Sequence, residues 1–127
     1  MTSSKQIVER RRHERFPAPQ GLFSVLGARD LKLGTIIDIN TIGLTLRYVD
    51  REKLSSGMYK MDIYMIGADF HLGQIPVETI SDLELVHGRP YWPITIRRCG
   101  VEFEGLTPDQ KSELESFIQN HTLREEV

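Results

Sequence analysis

The residues with the most evident chemistry lie near the start of the chain, where Glu9-Arg10-Arg11-Arg12-His13-Glu14-Arg15-Phe16 places four arginines within six positions. A guanidinium is a planar fork of donors. It gives two parallel hydrogen bonds to a phosphate or to the edge of a guanine, and its flat face stacks on a base. Arg11 and Arg15 are four residues apart with Arg10 immediately before the first, which reads Arg-Arg-x-x-x-Arg. Further on, Asp38-Ile39-Asn40-Thr41-Ile42-Gly43 reads Asp-x-Asn-x-x-Gly. There an aspartate or asparagine exchanges hydrogen bonds with base edges or ties down a turn, and Gly43 permits positive φ or a close approach to a ligand. The two stretches are chemically complementary.

Charge supports an arm that meets an anion. Residues 1–16 carry Lys5 and four arginines against Glu9 and Glu14, a net +3, whereas the whole chain carries −2 and so leaves −5 on the remainder. That asymmetry argues against a protein that coats nucleic acid across one face, as does the lack of a Lys/Arg stripe interleaved with aromatics.

Other constellations carry less. His13, His71, His87 and His121 have no metal-ligand spacing to one another, to the single cysteine or to a close carboxylate pair, so no metal site is expected. No Gly-x-Ser-x-Gly and no glycine-rich phosphate loop is present. Glu102 and Glu104 flank Phe103, a strand pattern that sends both to solvent; Met58, Met61 and Met65 read as core and edge filler. Tyr91-Trp92 before Pro93 reads as packing more than as a stacking surface. Nothing resembles a catalytic constellation, so the chain is not expected to be an enzyme, and no cofactor is expected.

The elements that must position these residues are mostly strands. Phe16-Pro17-Ala18-Pro19 stops any helix in the arm by about Arg15. Short β-like runs follow: Gly21 to Gly27, Leu33 to Ile39, and Gly43 to Val49 with Leu44, Leu46 and Tyr48 on one face. After the polar segment Asp50 to Gly57, a fourth strand alternates through Tyr59, Met61, Ile63 and Met65. A long fifth strand runs from about Phe70 to Leu85, bent near Gly73 or Pro76. A last β region, Trp92 to Phe103, alternates through Trp92, Ile94 and Ile96 and resumes at Val101 and Phe103, with Gly100 as a bulge or kink. Thr107-Pro108-Asp109-Gln110 is a capping box that starts a helix with Leu114, Phe117, Ile118 and His121 on one face. About six strands and one helix describe a mainly β fold, a small antiparallel barrel or roll.

At 127 residues the chain has the length of one domain, and Cys99 alone excludes an internal disulfide framework. No segment approaches the 18 uninterrupted apolar residues of a membrane span, and a cytoplasmic protein is expected.

In this order the two motifs resemble those of the PilZ domain family, Arg-x-x-x-Arg and Asp/Asn-x-Ser-x-x-Gly. The stretch Arg98-Cys99-Gly100-Val101-Glu102-Phe103-Glu104-Gly105-Leu106 with the capped helix after it resembles that family's last strand and C-terminal helix, so the likeness covers about Glu9 to His121. The resemblance implies a six-stranded antiparallel barrel with a C-terminal helix and a flexible N-terminal arginine arm. It divides the chain into an arm with a proline hinge (1–19), a barrel with helix (20–121) and a tail (122–127). It also implies binding of cyclic di-GMP, a bacterial second messenger, with Arg10, Arg11, Arg15, Asp38, Asn40 and Gly43 as ligand-binding residues. Ordering of the arm would signal to a protein partner. Asn40 stands where the family pattern has serine. Arg97 and Arg98, on a strand expected to lie near the site, are candidates for supplementary phosphate contacts. The rival reading is a PilZ-like adaptor for motility, pilus or envelope machinery that does not bind nucleotide.

Overall fold

The computed structural model describes residues 15–27, 31–50, 54, 57–91 and 93–121. Its elements are β1 (Phe16–Pro17), β2 (Leu22–Leu26), β3 (Lys32–Ile39), β4 (Gly43–Val49), β5 (Met58–Met65), β6 (His71–Val86), β7 (Ile96–Phe103) and a helix α1 (Pro108–His121). Each neighbouring pair is antiparallel, and the ring β2–β3–β4–β7–β6–β5 closes on itself because β2 pairs with both β3 and β5. β1 stays outside this six-stranded barrel as a two-residue ladder on the end of β3.

The apolar alternation read from the sequence is what fills the interior. Leu44, Leu46 and Tyr48 of β4, Met61 and Ile63 of β5, and Leu72, Ile75 and Val77 of β6 are buried in one cluster. Tyr59 and Met65, on the same face of β5, pack against it less completely. The bend expected in β6 is a bulge. The register with β5 shifts between Met61↔Ile75 and Ile63↔Leu72, Gln74 takes φ 57°, and its N–H donates to Asp62 Oδ1 at 2.7 Å. An extra residue here increases local twist and lets a 16-residue strand curl around the barrel.

The helix cap forms as its sequence dictates. Gln110 N–H donates to Thr107 Oγ1 and Thr107 N–H to Gln110 Oε1, both at 3.1 Å, so two otherwise orphaned donors are satisfied reciprocally. Leu114, Phe117 and Ile118 are buried against the barrel, Phe117 stacks on Phe70 at 4.2 Å, and Gln110 Nε2 donates to the Gly73 carbonyl at 2.9 Å. His121 stacks on Phe117 and its Nδ1–H reaches the Phe117 carbonyl.

The last strand departs from expectation. It begins at Ile96, whereas residues 93–95 are not strand, and Trp92 lies outside the described residues. Its inward residues are Arg97, Cys99 and Val101, so the Trp92/Ile94/Ile96 alternation does not set the buried face; Ile94 is exposed. A charged residue occupies an interior position, and a hydrophobic pattern cannot register that. The irregularity near Gly100 lies on the partner strand, where the register jumps from Thr79↔Val101 to Ser81↔Gly100 and leaves Ile80 as the extra residue.

Candidate functional site

β1 determines where the arginine arm begins. Phe16 and Pro17 pair with Ile39 and Asp38, and Ala18 N–H donates to the Ile37 carbonyl at 2.9 Å. Pro17 has no N–H to give, which suits a short ladder at the periphery of a sheet. Arg15, the residue before this ladder, is thereby set beside Asp38. Its Nη1 donates to Asp38 Oδ1 at 3.1 Å and to Thr45 Oγ1. Arg98 approaches the other carboxylate oxygen, with Nη2 at 3.8 Å from Oδ2. Asp38 is thus shared by two guanidiniums, each about half exposed, while it is itself largely covered.

The ladders explain the convergence. Asp38 pairs with Thr45, Thr45 with Gly100, and one step along Arg47 pairs with Arg98. Directly opposed residues share a face of an antiparallel sheet, and so do residues two apart on one strand. Thr45, Arg47 and Arg98 therefore lie together on the outside of the barrel with Asp38 and the Arg15 head group.

The turn after Asp38 is built by Asn40. Its Oδ1 accepts from Ile42 N–H at 2.8 Å and Gly43 N–H at 2.9 Å, and its own N–H donates to the Gly43 carbonyl at 3.0 Å. This is a side chain mimicking a backbone turn. Asn40 is buried, with one role of its carboxamide oxygen already structural. Gly43 is required for packing: a Cβ there would lie 2.1 Å from the Val101 carbonyl oxygen and 3.1 Å from Glu102 Cα. Positive φ is not the reason, since Gly43 is not among the residues with that backbone.

Of the residues singled out in the sequence, Arg15, Asp38, Asn40 and Gly43 come together at this end of β3 and β4. Arg10 and Arg11 lie outside the described residues. Thr45 and Arg98 were not among the six. Thr45 was legible in principle, because a hairpin that turns over residues 40–43 brings it opposite Asp38. Arg98 depends on the β4–β7 register, for which no local signal exists.

Arg97 turns the other way. Its Nε donates to Asp82 Oδ1 at 2.7 Å and its Nη1 to Glu84 Oε1 at 3.4 Å, and both Arg97 and Asp82 are at least nine-tenths buried. Asp82 Oδ2 also accepts from the Tyr48 hydroxyl and from Leu54 N–H at 3.0 Å. Burial weighs against the Arg97 charge, but the hydrogen bond and charge of Asp82 more than offset it and raise its pKa. Burial and then the bond to Asp82 raise the Tyr48 hydroxyl well above its ordinary range, so it remains a donor. Burial likewise pushes the Cys99 thiol up to about 12, which makes it an inert core residue. This network is structural and does not contribute to the face that holds Arg98.

Concavity does not mark the site. A groove of about 690 Å³ on the barrel flank is lined by Phe23, Leu33, Arg47, Val49 and Ile66 among others, and contains none of Arg15, Asp38, Asn40 or Gly43. The exposed carboxylates of Glu78, Glu102 and Glu104 gather on the row of Gly43 itself, where Glu102 is its direct cross-strand partner and Glu78 the next across. Among the described residues no helix is long and apolar enough to cross a membrane.

No family model matches the chain, and no curated protein matches its sequence. Solved structures do match its shape. The PilZ domain of YcgR from Escherichia coli, described as with c-di-GMP, superposes with a TM-score of 0.67 at 16% identity over 88% of this chain and 91% of that one. K. pneumonia MrkH in its apo state gives 0.64 at 10% identity, covering 85% of this chain and 47% of that one. Borreliella burgdorferi PlzA in complex with c-di-GMP gives 0.58 at 10% identity, over 92% and 56%. The chain therefore spans an isolated PilZ domain almost fully but only about half of the longer proteins. The closed six-stranded barrel with its outside strand and C-terminal helix is the fold of a PilZ domain.

Proposed function

We propose that this domain is a receptor for cyclic di-GMP, and not an enzyme. The observation that carries the reading is the Arg15–Asp38–Arg98 cluster on the outer face of a barrel whose solved neighbours include PilZ domains described with that ligand. Arg15, with Arg11 and Arg10 from the arm, supplies guanidiniums for phosphates and guanine edges. Asp38 aims Arg15, the Asn40 turn shapes the wall, and Gly43 lets β4 approach β7 closely beneath it. Cyclic di-GMP carries two phosphodiester charges, and its arrival draws the part of the arm before Arg15 onto the barrel; residues 15–18 of the expected 1–19 arm already lie against β3, and 122–127 form a tail. The ordered arm is the signal read by a protein partner in the cytoplasm, of the kind that governs motility or biofilm formation.

One observation favours the rival adaptor reading. Asn40 replaces a serine hydroxyl with an amide whose oxygen is already bonded to two backbone N–H groups. Titration calorimetry separates the two. Selective binding of cyclic di-GMP at about micromolar Kd or tighter, absent for GTP and a linear guanine dinucleotide, is the expected result. Arg11→Ala or Arg15→Ala abolishes it without unfolding the barrel. A folded protein that gives no heat with the cyclic ligand refutes the receptor and leaves the adaptor.

A further inference from the structure

Arg47 and Arg98 are direct cross-strand partners on the outer face of β4 and β7. Like charges so placed, with Cα atoms about 5 Å apart, destabilise a sheet. Little in the fold compensates. Arg98 has one loose contact, to Asp38 at 3.8 Å, and Arg47 makes no ion pair with any described residue. The next row of the same face is Asp38, Thr45, Gly100 and Ser81, whose last three side chains are small. At Gly100 a Cβ would come within 3.0 Å of Ser81 Oγ, so the two small residues sit close together. A low floor therefore runs between the Arg15 head group, which reaches Thr45, and the Arg47/Arg98 pair.

We infer that Arg47 and Arg98 form a second phosphate-binding position, which takes one phosphodiester of the cyclic dinucleotide while Arg15 serves the other. The inference rests on the receptor reading above. Three guanidiniums against the single carboxylate of Asp38 leave an excess of two positive charges on these rows. Two phosphodiesters offer the matching negative charge. The unfavourable Arg–Arg pairing is then a feature of the empty site that ligand relieves, as expected where a fold gives up stability for binding.

The test is calorimetry with cyclic di-GMP on Arg47→Gln, Arg98→Gln and the double variant, with melting temperatures of the unliganded proteins. Each single change weakens binding roughly tenfold, the loss expected for a hydrogen bond to a charged group. Each also lowers the salt dependence of log K by about one ion. The unliganded melting temperature holds or rises, which a merely structural arginine would not permit. A double variant that binds within about twofold of wild type overturns the assignment. If folded wild type binds no cyclic di-GMP, the receptor reading fails separately, and pyrophosphate becomes the probe. Perturbed Arg47 and Arg98 Nε–Hε resonances then sustain the anion position, and unmoved ones overturn it.

Discussion

Replacing Arg97 by methionine tests whether adjacent arginines on one strand do unrelated work. The change removes the donor of the 2.7 Å bond to Asp82 and the 3.4 Å bond to Glu84, and leaves a carboxylate that is 7% exposed without its cation. Breaking a buried pair from one side costs about 3–5 kcal/mol. Asp82 keeps Leu54 N–H and the Tyr48 hydroxyl, so the lower end, about 3 kcal/mol, applies. Against a typical stability of about 5–15 kcal/mol that is a large share. At about 3–5 °C per kcal/mol for a chain of this size, the melting temperature falls by roughly 10 °C. Urea unfolding followed by far-UV circular dichroism gives the same quantity as a midpoint shift of about 1–2 M. Arg98→Met, half exposed, stays within about 0.5 kcal/mol. The double variant Arg97→Met/Asp82→Leu recovers only part of the loss, because an apolar pair needs no counter-charge but the Tyr48 hydroxyl and Leu54 N–H lose their carboxylate acceptor. If Arg97→Met costs less than about 1 kcal/mol, or no more than Arg98→Met, the division into a structural and a surface arginine is wrong.

Further outcomes are specific to single contacts. Gly43→Ala sets a methyl against the Val101 carbonyl, which cannot rotate away, and should cost at least about 2 kcal/mol by chemical denaturation while opening the β4–β7 ladder to amide exchange. Thr107→Ala removes one half of the capping box and should lower stability by about 1 kcal/mol, read as a small fall in melting temperature. The hydrogen bond from His87 is the chief cause that lowers the Glu84 pKa below its ordinary 4.5. Its contribution is therefore present above that value and lost as pH falls through the depressed one. On acidification the melting temperature of wild type should drop more steeply than that of Glu84→Gln. Cys99, with its thiol pushed up to about 12, should react with a thiol reagent only at the rate of unfolding; prompt labelling of native protein would contradict its burial.

Most of the barrel was legible because its strands alternate cleanly. β4 matches residues 43–49 at both ends, and Met61 and Ile63 carry the apolar face of β5 inward as their period predicts. The capping box at Thr107 is a local device, so its geometry follows from four residues. β7 was misjudged at its start because Arg97 interrupts the apolar period with a buried ion pair whose partners, Asp82 and Glu84, sit on another strand. The site divides along the same line. The turn formed by Asn40 and Gly43 is local and could be read, though its reason could not. Gly43 is fixed by the Val101 carbonyl, nearly sixty residues away along the chain. Arg97 and Arg98 were alike in the sequence as supplementary contacts, and only the long-range register separates the one that faces Asp38 from the one that faces Asp82.

The strand order has a consequence for how the chain acquires its shape. β7 is last of the strands in sequence yet lies between β4 and β6. As the chain emerges during synthesis, β2 to β6 can pair only as an open sheet with β4 and β6 as its two bare edges. Bare edges invite pairing with other chains, and contacts between segments far apart in sequence form slowly. Insertion of residues 96–103 removes both edges in one event, and α1, which follows, settles on an already closed wall. The strand that carries Arg98 to Asp38 is also the one whose arrival ends the vulnerable stage of folding.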